Sequence, residues 1–176
     1  MNTLLNAQWW HCYNDIEKNE RIDTLCQQGL IQHCRVTILA TPEQLISNLT
    51  VKENIELPGI WHGYDSLPFD SHASNAMLTC LQNCLRGQQT PEHLLAMQGA
   101  RLNSQQRRWI GLARALHLHA NYVVIDDDEK NPYPFEDERL QFITEHLPDA
   151  VVHWVSLRTP SALPEHWLFA ESGVNT

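Results

Sequence analysis

The stretch ARLNSQQRRWIGLARALHLHANYVVIDDDE, residues 100–129, leaves few folds open to this chain. A polar cluster, Leu102-Asn103-Ser104-Gln105-Gln106, leads into Trp109, Leu112, Ala113 and Leu116, apolar residues at helical spacing. Asn103 with Gln106 three positions on has the form of a capping box. A short β-branched run at 122–125 follows and ends in Asp126, Asp127, Asp128 and Glu129. Helix, loop, buried strand and acidic strand end is the order found in α/β nucleotide-binding folds, whose ligands sit at the carboxyl ends of strands.

The rest of the chain supplies partners for that unit. Residues 34–40 and 150–155 read as further buried strands, and 168–171 as one more. The first is closed by Thr41-Pro42, because proline cannot donate to a sheet ladder. Residues 73–85 place Ala76, Met77, Cys80, Leu81, Cys84 and Leu85 on one helical face. Thr90-Pro91 offers a cap and a first-turn proline for a short helix through Met97, and 136–146 forms another. Residues 3–12 are expected as a short apolar helix, 59–71 as loop, and Gly29 as a helix stop. Strands separated by helices predict a parallel sheet with helical crossovers. The span between the first two strands exceeds one crossover and predicts an inserted helical subdomain.

At 176 residues, 43% hydrophobic and 19% charged, the composition is that of a globular protein with one real core. A net charge of −9 speaks against a nucleic-acid surface, since the one dense basic group lies along a single helix: Arg101, Arg107, Arg108 and Arg114. No window approaches the roughly 18 apolar residues of a membrane span, and the N-terminus lacks the pattern of a signal peptide. Five cysteines without a framework spacing fit reduced thiols in a cytosolic setting. Cys80 and Cys84, with His72 and His93 nearby, and the His11-Cys12 and His33-Cys34 pairs raise the question of metal binding. Their spacings repeat no zinc pattern, and buried structural thiols are the favoured reading.

With these words in this order, the chain resembles an ATP-binding cassette (ABC) transporter ATPase over residues 34–173. LISNLTVKENI (45–55) is similar to the family's segment "LLPNLTVLENV". Residues 102–116 resemble the signature helix, "LSGGQ" continuing to an intact Ala113-Arg114-Ala115-Leu116. Residues 122–127 resemble the Walker B strand. The resemblance implies a P-loop NTPase-like parallel sheet, here truncated, as one domain: an α/β core at 34–58 and 120–173, and a helical subdomain with the signature-like helix at 59–119.

The departures bear on function. The phosphate loop G-x-x-x-x-G-K-[ST] is not present in this sequence. Counting back without gaps sets Met1-Asn2-Thr3-Leu4-Leu5 where the family has Lys-Ser-Thr-Leu-Leu, so Thr3-Leu4-Leu5 is expected to be the remnant of the helix behind that loop. The Q-loop glutamine position holds Thr41, both signature glycines are replaced, and the switch-histidine position holds Leu157. Asp126 stands at the Walker B aspartate and is a candidate magnesium ligand. Asp127, one methylene short, takes the catalytic-glutamate position.

The resemblance therefore implies a degenerate, non-catalytic subunit, peripheral at the cytoplasmic face of a membrane. Its partners would be a transmembrane permease, an intact ATPase subunit or a second copy of this chain, with Thr41, Leu45, Asn48, Thr50, Glu53 and Asn54 in the contact segment. No cofactor is expected for the isolated chain. ATP and magnesium would enter only with a partner that supplies the P-loop, and Asn103, Ser104, Gln105 and Gln106 would then touch nucleotide. The alternatives are an ATPase active only in such a heterodimer, and a metal- or thiol-dependent enzyme on a borrowed fold.

Overall fold

The computed structural model describes residues 6–40, 43–63, 71–85, 90–127, 138–159 and 167–171. Five stretches rich in β-branched and aromatic residues pair there into one parallel sheet. They are β1 (Asn6–His11), β2 (Val36–Leu39), β3 (Tyr122–Asp126), β4 (Val151–Ser156) and β5 (Leu168–Glu171), in the order β2-β3-β4-β1-β5. The α/β expectation with a parallel sheet therefore holds.

The chain divides into two compact units, Met1–Ala40 with Ala120–Thr176, and Thr41–His119. Residues 41–58 fall in the second unit, with the helices that follow them.

In the first unit β1 lies between β4 and β5, with Trp9 opposite Trp154 and Trp10 opposite Val155. Residues 3–12 were expected as a helix, and the described part, from Asn6, is instead an inner strand of the sheet. Trp9 and Trp10 point to opposite faces, the period of two that a strand imposes. A short apolar run carries no periodicity long enough to separate the two readings.

On one face Trp9 stacks on Trp154 with ring centroids 5.4 Å apart, and Trp167 leans against both. Arg139, at the start of α6 (Glu138–His146), lies over the Trp154 ring. On the other face Ile22 and Leu25 of α1 (Asp15–Ile31) pack with Cys12, Tyr122, Val124 and Val155. Gly29 is inside α1, not at its end. A Cβ there would stand 2.6 Å from Val36 Cγ2 and 3.1 Å from the Tyr122 ring, so the glycine is what lets the helix lie close on β2 and β3.

The second unit is helical: α2 (Val51–Trp61), α3 (Ser71–Cys84), α4 (Pro91–Ala96), a 3₁₀ turn (Gly99–Arg101) and α5 (Ser104–His117). α2 runs through Pro58 and Gly59 to Trp61, where a loop was expected. Its first turn is fixed by a reciprocal cap between Thr50 and Glu53, which also holds the Glu53 carboxyl below its usual pKa. α5 forms as its spacing predicts, with Ile110, Leu112, Ala113, Ala115 and Leu116 buried. Glu43 folds onto α5 at Gly111, where a Cβ would meet its carboxyl carbon at 2.6 Å. Arg114 closes that contact with an ion pair to the Glu43 carboxylate and a bond to the Gln44 carbonyl, 3.2 Å.

Candidate functional site

All five strands are parallel, so their carboxyl ends share one edge of the sheet. From β1 the chain crosses over β4 and β3 to reach β2, whereas from β4 it crosses β1 to reach β5. That reversal falls at the ends of β1 and β4, and such a point is where ligands bind in open α/β sheets. Three segments meet there: residues 12–14 after β1, Asp126 and Asp127 at the end of β3, and residues 157–158 after β4.

Strand, loop and helix is the unit that carries a phosphate-binding loop, and β1, residues 12–14 and α1 have that form. The gap-free count that put a remnant at Thr3-Leu4-Leu5 falls outside the described residues. The described unit begins at Asn6. The link is only Cys12-Tyr13-Asn14, and the chain itself uses its amides. Cys12 N donates to the Ser156 carbonyl at 2.8 Å. Tyr13 N donates to Glu17 Oε2 at 2.8 Å, and Glu17 N to Asn14 Oδ1 at 2.9 Å. Lys18 N donates to the Asn14 carbonyl at 3.0 Å. Asp15 and Glu17 set carboxylates in the first turn, where the helix dipole favours negative charge.

The acidic strand end is equally enclosed. The Lys18 ammonium lies 2.8 Å from Asp126 Oδ1 and donates to the Asp127 carbonyl at 3.1 Å. Asp127 is fully buried and accepts the Ser156 hydroxyl at 2.7 Å on Oδ2. Ser156 Oγ in turn accepts from Arg158 N at 3.1 Å. Asp127 thus faces a serine of the neighbouring strand's end, and Asp126 faces a lysine. Asp128 and Glu129 lie outside the described residues. The sequence reading missed Lys18 and Ser156 altogether; the only available signal was a lysine in a helix's first turn, on the unfavourable side of the dipole.

The signature-like positions are also committed to structure. Asn103 caps α5 by accepting from Gln106 N at 2.9 Å, and Gln106 Oε1 answers to Asn103 N at 3.1 Å. Gln106 is buried and donates through Nε2 to the Cys84 carbonyl at 2.7 Å. Ser104 and Gln105 are exposed on the first turn.

Among the partner-segment residues, Leu45 is buried. So is Asn54, whose side chain accepts from Ile46 N at 2.7 Å and donates to the Thr50 carbonyl at 2.9 Å. Thr50 and Glu53 form the cap of α2. The residues that do face solvent are Gln44, Ile46, Ser47, Asn48, Lys52 and Glu53. Thr41 lies outside the described residues.

Among the described residues, no three His, Cys, Asp or Glu side chains come close enough together to hold a metal. Cys80 and Cys84 are buried on α3, and burial raises both thiols, Cys84 to about 12. Cys26 is likewise pushed up to about 11 by burial and by Asp23. These are thiols and not thiolates, so they lack the character of nucleophiles. No described helix is long and apolar enough to cross a membrane.

No protein-family model matches the chain, and no curated protein matches it. Solved structures do. An ABC transporter ATP-binding protein from Pyrococcus furiosus superposes with a TM-score of 0.61 at 16% identity, covering 94% of this chain and 84% of its own. MJ0796, a bacterial ABC transporter cassette solved as a dimer, gives a TM-score of 0.55 at 15% identity over 97% and 82% of the two chains. The cbiO1 protein of Clostridium perfringens, part of the ABC transporter complex cbiONQ, gives 0.56 at 14% identity over 85% and 66%. The parallel sheet and the inserted helices therefore have the fold of an ABC transporter ATP-binding cassette.

Proposed function

We propose that this chain is a non-hydrolysing, cassette-like subunit that binds a transporter permease, an intact ATPase partner, or both, at the cytoplasmic face of a membrane. The observation that carries this reading is the three-residue link between β1 and α1. A phosphate cradle needs a longer, glycine-rich loop whose amides converge on the ligand. Here the amides of Cys12, Tyr13, Glu17 and Lys18 already bond within the chain.

The second support is Asp127, buried and bonded to Ser156 where a general base would need to face a water. Asn103 adds to it, since its side chain closes the α5 cap and is not held out toward a partner's nucleotide. What the fold keeps is an outer surface held in place by hydrogen bonds. Residues 46–50 are fastened by the Asn54 side chain and by Gly99 N to the Leu49 carbonyl, 2.9 Å, while Ile46, Ser47 and Asn48 are turned outward.

The test is a titration of the purified chain with ATP, with and without magnesium, followed by calorimetry and phosphate release. No saturable heat and no hydrolysis are expected. Binding in the micromolar range would overturn the reading.

A further inference from the structure

The fold implies a magnesium ion at the Walker B aspartate, and the residues present do not fit one. A magnesium ion needs about six oxygens in a tight octahedral shell. Two oxygens that would begin such a shell here, Asp126 Oδ1 and the Asp127 carbonyl, are both turned to the Lys18 ammonium, at 2.8 Å and 3.1 Å. Asp127 Oδ2 is taken by the Ser156 hydroxyl. The Lys18 and Asp126 side chains are only 12% and 24% exposed, so the ammonium already stands where a cation bound to these two oxygens would have to lie.

We propose that Lys18 is a built-in counter-ion: its ammonium holds the charge and the space that a divalent cation would take at this strand end. The placement is hard to explain otherwise. A lysine in the first turn opposes the helix dipole, and a carboxylate with so little exposure requires a partner. Each is compensated by the other. The site is thereby fixed in one charge state with no exchangeable ion, and the end of β3 is tied to α1 whatever the cation level. This deepens the proposed non-hydrolysing role and rests on it.

The experiment is a double-mutant cycle on the full chain, read by thermal unfolding with and without manganese and by the manganese spin-resonance signal. The wild-type protein should show no manganese-dependent shift and no loss of signal. Lys18→Met should lower Tm by about 5 °C, as expected for breaking a largely buried pair. It should also gain a manganese-dependent rise in Tm that is lost again in Lys18→Met/Asp126→Asn. Should Lys18→Met fail to fold, Asp126→Asn and the double variant carry the test, with the double expected to be the more stable because neither charge is then left alone.

Manganese binding to the wild-type protein that Asp126→Asn abolishes would overturn the proposal. So would a Lys18→Met variant as stable as the wild type and indifferent to manganese, or a double variant less stable than Asp126→Asn. Nucleotide binding without a divalent ion would overturn the proposed function and leave Lys18 in its role. Manganese binding to the wild type without nucleotide would do the reverse.

Discussion

His153 shows most directly how one residue's surroundings set its chemistry. It is buried in β4, accepts the Trp10 indole N–H on Nδ1 at 3.1 Å, and lies 4.7 Å from the Tyr122 ring. Burial lowers its pKa from 6.5 to about 4. Between those two pKa values the unfolded chain binds a proton that the folded chain refuses. Stability is therefore whole above pH 6.5 and falls as the pH drops toward 4. At about 1.4 kcal/mol per pKa unit the ceiling is roughly 3 kcal/mol. Residual solvent contact brings the expected loss to about 2 kcal/mol. His117 is lowered too, by burial first, and adds to the same slope. Urea unfolding across this window should show the fall, and His153→Gln, which keeps an acceptor for Trp10 but does not titrate, should flatten it.

At the scale of elements, pattern and context contributed unequally. The spacing of apolar residues was enough to place α5, β3 and β4 within a residue or so of where they lie. The Thr90 and Asn103 caps also followed from residue type alone. Gly29 did not. A glycine near the end of a polar helical run is most simply a stop, yet α1 continues past it because the glycine is needed for contact with β2 and β3. Gly29→Ala should therefore destabilise the chain by about 1–3 kcal/mol through overpacking, although alanine is the better helix former. A denaturation midpoint equal to that of the wild type would show that α1 can move away from the sheet at no cost. Trp9 and Trp10 in β1 were illegible for a related reason: two adjacent aromatics fit either a helix or an inner strand until a sheet exists to receive them on both faces.

For the molecule as a whole, charge and composition govern behaviour that no single contact sets. With a net charge of −9 at pH 7 and a pI near 5.5, the chain should be least soluble near pH 5.5, where self-repulsion vanishes. Light scattering through a pH titration should show a maximum there. A protein that stays monodisperse through its pI would indicate a surface more evenly mixed in sign than the composition suggests. The sequence by itself determined the α/β class and the order and type of most elements, because periodicity and caps are local. Only the tertiary structure decided that β1 sits between β4 and β5, that Asp127 turns to Ser156, and that Lys18 reaches across 109 positions to the end of β3. Sheet order and register bring distant residues together, and whether a strand-end carboxylate faces solvent, a metal or a lysine follows from that juxtaposition.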